Sequence, residues 1–256
     1  MRRKCQRQKP SSPWISLDLD CISLSLPYLV SAFSIFAHMN SPPSPLLSCG
    51  HPAKHVDIWS NHTIIDHMRV LVLIGSPRKG GNSDILADEV LKGVRQAGSD
   101  TQKIYLDDFF IRPIGQVADN SRARDDTRAD DDFLKILDVF LDSDIIIWST
   151  PIYWAGVSAQ MKCFIDRLSS YFNNPHYADR FTGKGHIFLC TFGRNNKGYS
   201  KMVTEPMKNT VETLRGIYLG DICVSSCYEK GKIREKHEIL KQAHELGKDV
   251  VAQMHR

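Results

Sequence analysis

No Cys-x-x-Cys pair occurs anywhere in the 256 residues, and the seven cysteines are scattered and odd in number. A thioredoxin-type redox motif, a paired-cysteine zinc ribbon and a disulfide framework are all excluded by that spacing. Free thiols in a reducing cytosol are the reading that remains. The chain also lacks Gly-x-Gly-x-x-Gly and any Gly-Lys-Ser/Thr, so it has neither the dinucleotide fingerprint nor the nucleoside-triphosphate loop. Neither sign of charge dominates: 33 Lys and Arg face 29 Asp and Glu, a formal net charge of +4. That balance gives no reason to expect a nucleic-acid partner. Hydrophobic residues make up 42% and charged residues 24%, which excludes wholesale disorder and collagen-like repetition. No internal repeat is visible.

The averages conceal two textures. Residues 1–67 hold seven of the twelve prolines, no glutamate and one glycine, Gly50. A basic start, Met1-Arg-Arg-Lys4, precedes an apolar patch from Ile22 to Ala37. Pro27 and four serines interrupt that patch, leaving it too short and too polar for a membrane span. Ser41-Pro-Pro-Ser-Pro45 then reads as an extended linker. His51, His55, His62 and His67 lack cysteine or acidic partners at ligand spacing, so no metal site is expected. Two readings of this leader stand. It is either an appendage, targeting or disordered, or the working chain starts at Met39 or Met68. Met68 stands immediately before the first apolar run, which favours a start there. The expected division is therefore a leader over 1–67 and one globular domain over 68–256.

From Met68 onward the pattern is regular. Arg69–Ile74 is a short run, apolar on both faces, of the kind a central parallel strand needs. Ser83–Gln96 carries Ile85, Leu86, Val90, Leu91 and Val94 at helical spacing and is followed by Gly98. Further strands are predicted at 101–106, 144–148, 186–191 and 217–224, and further helices at 133–141, 157–171, 199–214 and 231–254. Strands and helices in strict alternation predict an α/β domain with a doubly wound parallel sheet. In such a sheet ligands bind outside the carboxyl ends of the strands, so the loops after Ile74, Trp148 and Leu189 are the ones to inspect.

The first loop is Gly75-Ser-Pro-Arg-Lys-Gly-Gly-Asn-Ser83. Its glycines permit close approach of a ligand. Ser76, Asn82 and Ser83 supply donors, Arg78 or Lys79 supplies charge, and the next helix begins with unpaired N–H groups and a positive dipole end. The loop suits a phosphate monoester. The plainer alternative is a surface loop before a helix capped by Asn82 or Ser83. On these residues the chain resembles the flavodoxin-like NADPH-dependent FMN reductase family, over about residues 68–251. The resemblance implies a five-stranded sheet of order 2-1-3-4-5, bound FMN, and contacts to its phosphate from Ser76, Arg78, Asn82 and Ser83.

The second loop, Ser149-Thr-Pro-Ile-Tyr-Trp-Ala-Gly156, puts flat aromatic faces where core packing does not explain them. The family carries the same pattern. The resemblance implies that Pro151, Ile152, Tyr153 and Trp154 lie along the isoalloxazine, with Gly156 allowing close approach. Lys162, Asp166 and Arg167 follow on one helix, where a structural ion pair is the simpler expectation for Asp166. The third loop begins Cys190-Thr-Phe-Gly-Arg-Asn-Asn-Lys197. Gly193 and Gly198 mark a flexible loop, and Thr191 and Asn195 are within reach of the pyrimidine edge, so Thr191 and Gly193 are expected to bind the cofactor. Arg194 and Lys197 suit either the phosphates of NADPH or plain solvation. Cys190 is either a thiol near the flavin or a buried strand-end residue.

Related iron–sulfur flavoproteins carry a cysteine cluster after the second strand. Residues 108–132 here contain no cysteine, so the ligands for such a cluster are missing. The resemblance thus implies a cytoplasmic FMN-dependent oxidoreductase, a homodimer or tetramer, with no membrane or nucleic-acid partner. Hydride would pass from NADPH or NADH to FMN, and then to a quinone, a nitro- or azo-aromatic, or free flavin. No side chain is expected to act as an acid or base, because the cofactor carries the chemistry. The alternative is a flavodoxin-type electron carrier docking on redox proteins. Such carriers are usually strongly acidic, whereas residues 68–256 hold 27 basic and 25 acidic side chains.

Overall fold

The computed structural model describes residues 67–114 and 130–255. The leader expected over 1–67 (His67 apart) and most of the cysteine-free loop, residues 115–129, lie outside the described residues. Five strands form one sheet: β1 (Arg69–Ile74), β2 (Asp100–Tyr105), β3 (Ile145–Pro151), β4 (Gly185–Thr191) and β5 (Ile217–Val224). Their order is β2-β1-β3-β4-β5 and every pairing is parallel. That is the order the resemblance implied.

The helices are α1 (Asn82–Gln96), α2 (Phe133–Asp142), α3 (Ala159–Leu168), α4 (Ala178–Phe181), α5 (Lys201–Thr213) and α6 (His237–Met254). Several bounds differ from the sequence expectation: β3, expected to end at Trp148, runs on to Pro151, and the short helix α4 was not expected. A 3-10 turn at Lys197–Ser200 precedes α5, another at Lys232–Glu235 precedes α6, and the third helix spans ten residues where fifteen were predicted. Its start is fixed by Ser158, whose side chain accepts the Met161 N–H, and the run beyond Leu168 continues only in turns.

Period-two alternation divides the central strands between two cores. Val70, Val72 and Ile74 of β1, Ile145 and Ile147 of β3, and Ile187 and Leu189 of β4 pack with α1 and α6. Leu71 and Leu73, Ile146 and Trp148, and Phe188 and Cys190 pack with α2, α3 and α5 on the other face. Strands buried on both faces explain why the sequence runs are continuously apolar rather than alternating. On the second face Arg167 is 1% exposed; it pairs with Asp131 and lies 4.5 Å over the Phe133 ring. Lys162 and Asp166 form the exposed ion pair expected of them.

One packing detail positions the site. A Cβ on Gly93 would stand 2.0 Å from the His244 carbonyl oxygen, and one on Gly247 would stand 2.1 Å from the Val90 carbonyl oxygen. Glycine at both positions therefore lets α6 lie backbone to backbone on α1. Although β5 is at the far edge of the sheet, its outgoing chain is drawn back across the amino end of α1.

Candidate functional site

At the carboxyl edge of the sheet, β1 and β3 are neighbours whose following helices leave on opposite faces. This is the position at which a doubly wound sheet opens a crevice. The crevice has a volume of about 290 Å³ and four walls. Ser76, Arg78, Gly81, Asn82 and Ser83 come from the β1–α1 loop; Pro151, Ile152 and Tyr153 follow β3; Thr191, Phe192 and Gly193 follow β4. The fourth wall is Cys227, Tyr228 and Lys230 of the β5–α6 loop.

The β1–α1 loop is built to leave donors open. Residue Gly81, not Asn82 or Ser83, is the N-cap of α1, and no side chain caps it. The first N–H groups of α1 thus have no intrahelical carbonyl to meet, and they face the cleft together with the positive end of the helix. A Cβ on Gly81 would meet the Arg78 carbonyl oxygen at 2.7 Å, so the tight turn requires glycine there. Ser76 is 5% exposed; its Oγ accepts the Arg78 N–H at 3.2 Å, which leaves its own proton to donate. Gly75 fits only because it lacks a side chain, for a Cβ would meet Ser158 Oγ at 2.6 Å.

Asp84 holds this loop from behind. It accepts the Gly80 N–H at 2.6 Å, the Lys103 ammonium at 2.7 Å and the Tyr105 hydroxyl. Burial alone would raise its carboxyl pKa. The hydrogen bonds from Lys103, Gly80 and Tyr105 outweigh burial and hold it below the usual value. Lys103, bonded also to Asp88, is correspondingly held well above the ordinary lysine range. The neighbouring Lys79 is turned away to Asp108 at 2.7 Å. Among the described residues, Arg78 and Lys230 are therefore the cleft-lining cations without an ion-pair partner.

The Asn82 side chain is fully engaged inside the protein. Its Nδ2 donates to the carbonyls of Cys227 at 3.0 Å and Glu229 at 2.7 Å, and its Oδ1 accepts the Ile233 N–H at 3.1 Å. What Asn82 offers the cleft is its backbone N–H. Ser83 Oγ and Thr191 Oγ1 lie 2.8 Å apart, joining the first and third walls.

The turn after β3 is a tight hairpin. Tyr153 and Gly156 exchange both backbone bonds at 2.9 Å, and Trp154 and Ala155 between them have φ of 50° and 63°. Tyr199 donates no bond here but accepts the Ala155 N–H at 2.8 Å. Tyr153 lines the cleft, whereas Trp154 is fully exposed and neither it nor Gly156 does. Gly156 lines a separate groove of about 280 Å³ with Val157, Ile165, Met202, Pro206 and Met207.

Nine of the eleven residues singled out in the sequence therefore share one cleft. Gly81, one of the glycines expected to permit close approach, lines it too, whereas sequence reasoning missed Phe192, Cys227, Tyr228 and Lys230. For Phe192 the signal was its place between Thr191 and Gly193; for the fourth wall there was no local signal. Cys190 points into the second core beside Cys223, its register partner, and the hydrogen bond its thiol donates to Cys223, together with burial, pushes that thiol far up. It is a core thiol. Arg194 and Asn195 are exposed and do not line the cleft; Arg194 lies over the Tyr199 ring at 5.0 Å. Among the described residues no group of three His, Cys, Asp or Glu could hold a metal ion, and no helix is long and apolar enough to cross a membrane.

The donor set fits a flavin mononucleotide. One end of the cleft offers uncapped N–H groups, a buried hydroxyl and two cations; the other offers Pro151, Ile152, Tyr153 and Phe192.

Comparison with known proteins identifies the family. The family model described as NADPH-dependent FMN reductase matches residues 68–231. A Bacillus subtilis protein, YwqN, named as an NAD(P)H-dependent FMN-containing oxidoreductase, is 37% identical over 113 residues, 44% of this chain and 58% of that one. An iron–sulfur flavoprotein of Archaeoglobus fulgidus is 29% identical over 116 residues, 45% of this chain and 52% of that one. The chain thus spans little more than half the length of these curated relatives. The solved structure of the Trp repressor binding protein from Bacillus subtilis superposes with a TM-score of 0.54 at 25% identity, covering 69% of this chain and 96% of that one.

Proposed function

The chain belongs to the NADPH-dependent FMN reductase family, and on that premise we propose that it is an FMN-dependent NAD(P)H oxidoreductase acting on a small electron acceptor. The observation that carries this reading is the four-walled cleft, with an uncapped helix start and two unpaired cations at one end and a flat apolar wall at the other. When bound, FMN would supply the redox chemistry, taking hydride from NADPH or NADH and yielding electrons to a quinone, a nitro- or azo-aromatic, or free flavin.

The residues of the chain have binding and positioning roles. Ser76, Arg78 and the backbone of Asn82 and Ser83 would hold the phosphate. Pro151, Ile152 and Tyr153 would support the ring system, and Thr191 and Gly193 would meet its remaining edge. Donors fixed in advance by the strand ends require no reorganisation as charge builds on the ring, which is how a protein of this kind favours the reduced flavin. The hydrogen bond between Ser83 and Thr191 ties the phosphate wall to the pyrimidine wall, so the two ends of the site cannot drift apart.

Trp154 and Gly156 are assigned a different part. A fully exposed tryptophan beside a methionine-lined groove supports assembly into a homodimer or tetramer through this face. Four unpaired cysteines among the described residues, Cys163, Cys190, Cys223 and Cys227, suit a cytoplasmic setting.

The test is direct. Purified full-length protein mixed with FMN and desalted should keep the visible flavin band and quench the flavin fluorescence. Anaerobic NADPH or NADH should then bleach that band, and an added quinone or nitro-aromatic should restore it. No retained flavin would refute the proposal. Retention without bleaching by either nucleotide would leave the electron-carrier alternative in its place.

A further inference from the structure

The β5–α6 loop belongs to the site, although nothing in its own sequence announces that. It reaches the cleft because Gly93 and Gly247 let α6 lie on α1, and because Asn82 grips it at three points: the carbonyls of Cys227 and Glu229, and the N–H of Ile233. A second attachment, from the Cys227 N–H to the Phe192 carbonyl at 2.8 Å, joins it to the third wall. Between these fixed points the loop presents Tyr228 and Lys230 to the cleft. A Cβ built on Gly80 would stand 3.9 Å from the Lys230 ammonium, so that charge sits directly over the phosphate loop.

At this end of the cleft two lining cations have no ion-pair partner among the described residues. Asp84 is neutralised by Lys103 from behind, and Lys79 is neutralised by Asp108. Arg78 and Lys230 remain, one from the β1–α1 loop and one from the β5–α6 loop, and a phosphate monoester carries about two negative charges. Two exposed cations from separate loops beside a row of uncapped N–H groups make a set of donors suited to a dianion.

We infer that Lys230 is the second cation for the flavin phosphate and that Asn82 is a positioning residue, which governs phosphate recognition by holding the Lys230 loop rather than by touching the ligand with its amide. This rests on the FMN reading above. It also distinguishes the two asparagine roles: a contacting amide acts alone, whereas a positioning amide acts through Lys230.

The experiment compares FMN with riboflavin, which lacks the phosphate, by fluorescence quenching on full-length protein freed of flavin. Lys230→Gln should weaken FMN about tenfold, the scale of one charge-assisted hydrogen bond, and leave riboflavin unchanged. It should also flatten the salt dependence of FMN binding, while Lys230→Arg should restore most of the affinity. Asn82→Ala should lower the preference for FMN over riboflavin, and the double variant should lower it no further than Lys230→Gln alone. Lys230 is an exposed loop residue, so its variants report even if Asn82→Ala folds poorly. An unchanged FMN-to-riboflavin ratio in Lys230→Gln overturns the assignment, as does equal weakening of both flavins. A raised KM for NADPH with unaltered FMN affinity would also overturn it, giving the charge to the nicotinamide cofactor. Wild-type protein that binds neither flavin would bring down the FMN reading itself, a result distinct from the others.

Discussion

Two left-handed turns flank the cleft, and they are held in opposite ways. At Gly80, φ is 68° and the residue is glycine; its N–H is fixed by Asp84, which is fixed in turn by Lys103 and Tyr105. At Trp154 and Ala155, φ is 50° and 63°, neither residue is glycine, and apart from the hairpin bonds the support is one hydrogen bond to the Tyr199 hydroxyl. The first turn is relaxed and heavily braced; the second is strained and open to solvent. A phosphate site gains from donors fixed before the ligand arrives. A fully exposed tryptophan on a lightly held turn instead suits contact with something that arrives later. On the proposed reading, bracing and exposure divide cofactor binding from assembly within a single sheet edge.

The largest expected effect comes from removing the brace. Asp84→Asn keeps the shape but leaves the half-buried Lys103 ammonium with Asp88 as its one carboxylate partner and weakens the Gly80 contact. Loss of charge-assisted hydrogen bonds at a partly buried carboxylate, with Asp88 still paired to Lys103, costs about 1.5 kcal/mol, so urea unfolding should show a loss of that order, together with weaker FMN binding. A loss below 0.5 kcal/mol would mean that the brace is incidental. Acid should act on the same group. Because the folded-state pKa of Asp84 is lowered, its contribution is fully present above the unfolded carboxylate value near 4 and is lost as pH falls through the folded value. The stability gap between wild type and Asp84→Asn should therefore be constant from pH 5 to 7 and narrow below about pH 4. A gap that stays constant down to pH 2.5 would show that another group governs the acid limb.

Much of this was legible in the sequence because the signals were local. β1 and β5 have the predicted bounds, and the apolar run Ile145–Trp148 announced a strand that pairs on both sides. The Gly75–Ser83 loop was readable because its glycines, its hydroxyls and the uncapped start of α1 are adjacent in the chain. What escaped was non-local. Asn82 carries a typical donor side chain in a phosphate loop, and nothing nearby reveals that its amide is engaged with residues 145 to 151 positions later. Tyr228 and Lys230 became site residues only through the approach of α6 to α1 at Gly93 and Gly247. Those glycines lie inside helical patterns, where an isolated glycine marks either tolerance or close packing, and the pattern alone does not say which. Trp154 failed in the other direction: an aromatic next to Tyr153 invites a shared role, but two left-handed residues in the turn send the second ring outward.

Exchanging residue types between the two turns gives the finest test of the contrast. Gly80→Ala puts a Cβ in ordinary contact distance of Lys230, 3.7 Å from its Cε, so space is not the obstacle and the change isolates the left-handed backbone. The expected loss is about 1 kcal/mol, the steric cost for an L-residue in that region. Ala155→Gly runs the same exchange in reverse. Relief of strain there is worth about 1 kcal/mol, but glycine also enlarges the entropy of the unfolded chain by several tenths, so a net gain of about 0.5 kcal/mol remains. Urea midpoints should therefore move in opposite directions, down for Gly80→Ala and slightly up for Ala155→Gly, with unchanged m-values in both. FMN affinity should fall in the first and hold in the second, because Ala155 does not line the cleft. If Ala155→Gly instead weakens self-association while stabilising the fold, then the strain at Trp154 serves to hold its ring in place for a second copy. If it changes neither, the turn is strained without consequence, and the assembly role assigned to Trp154 loses its support.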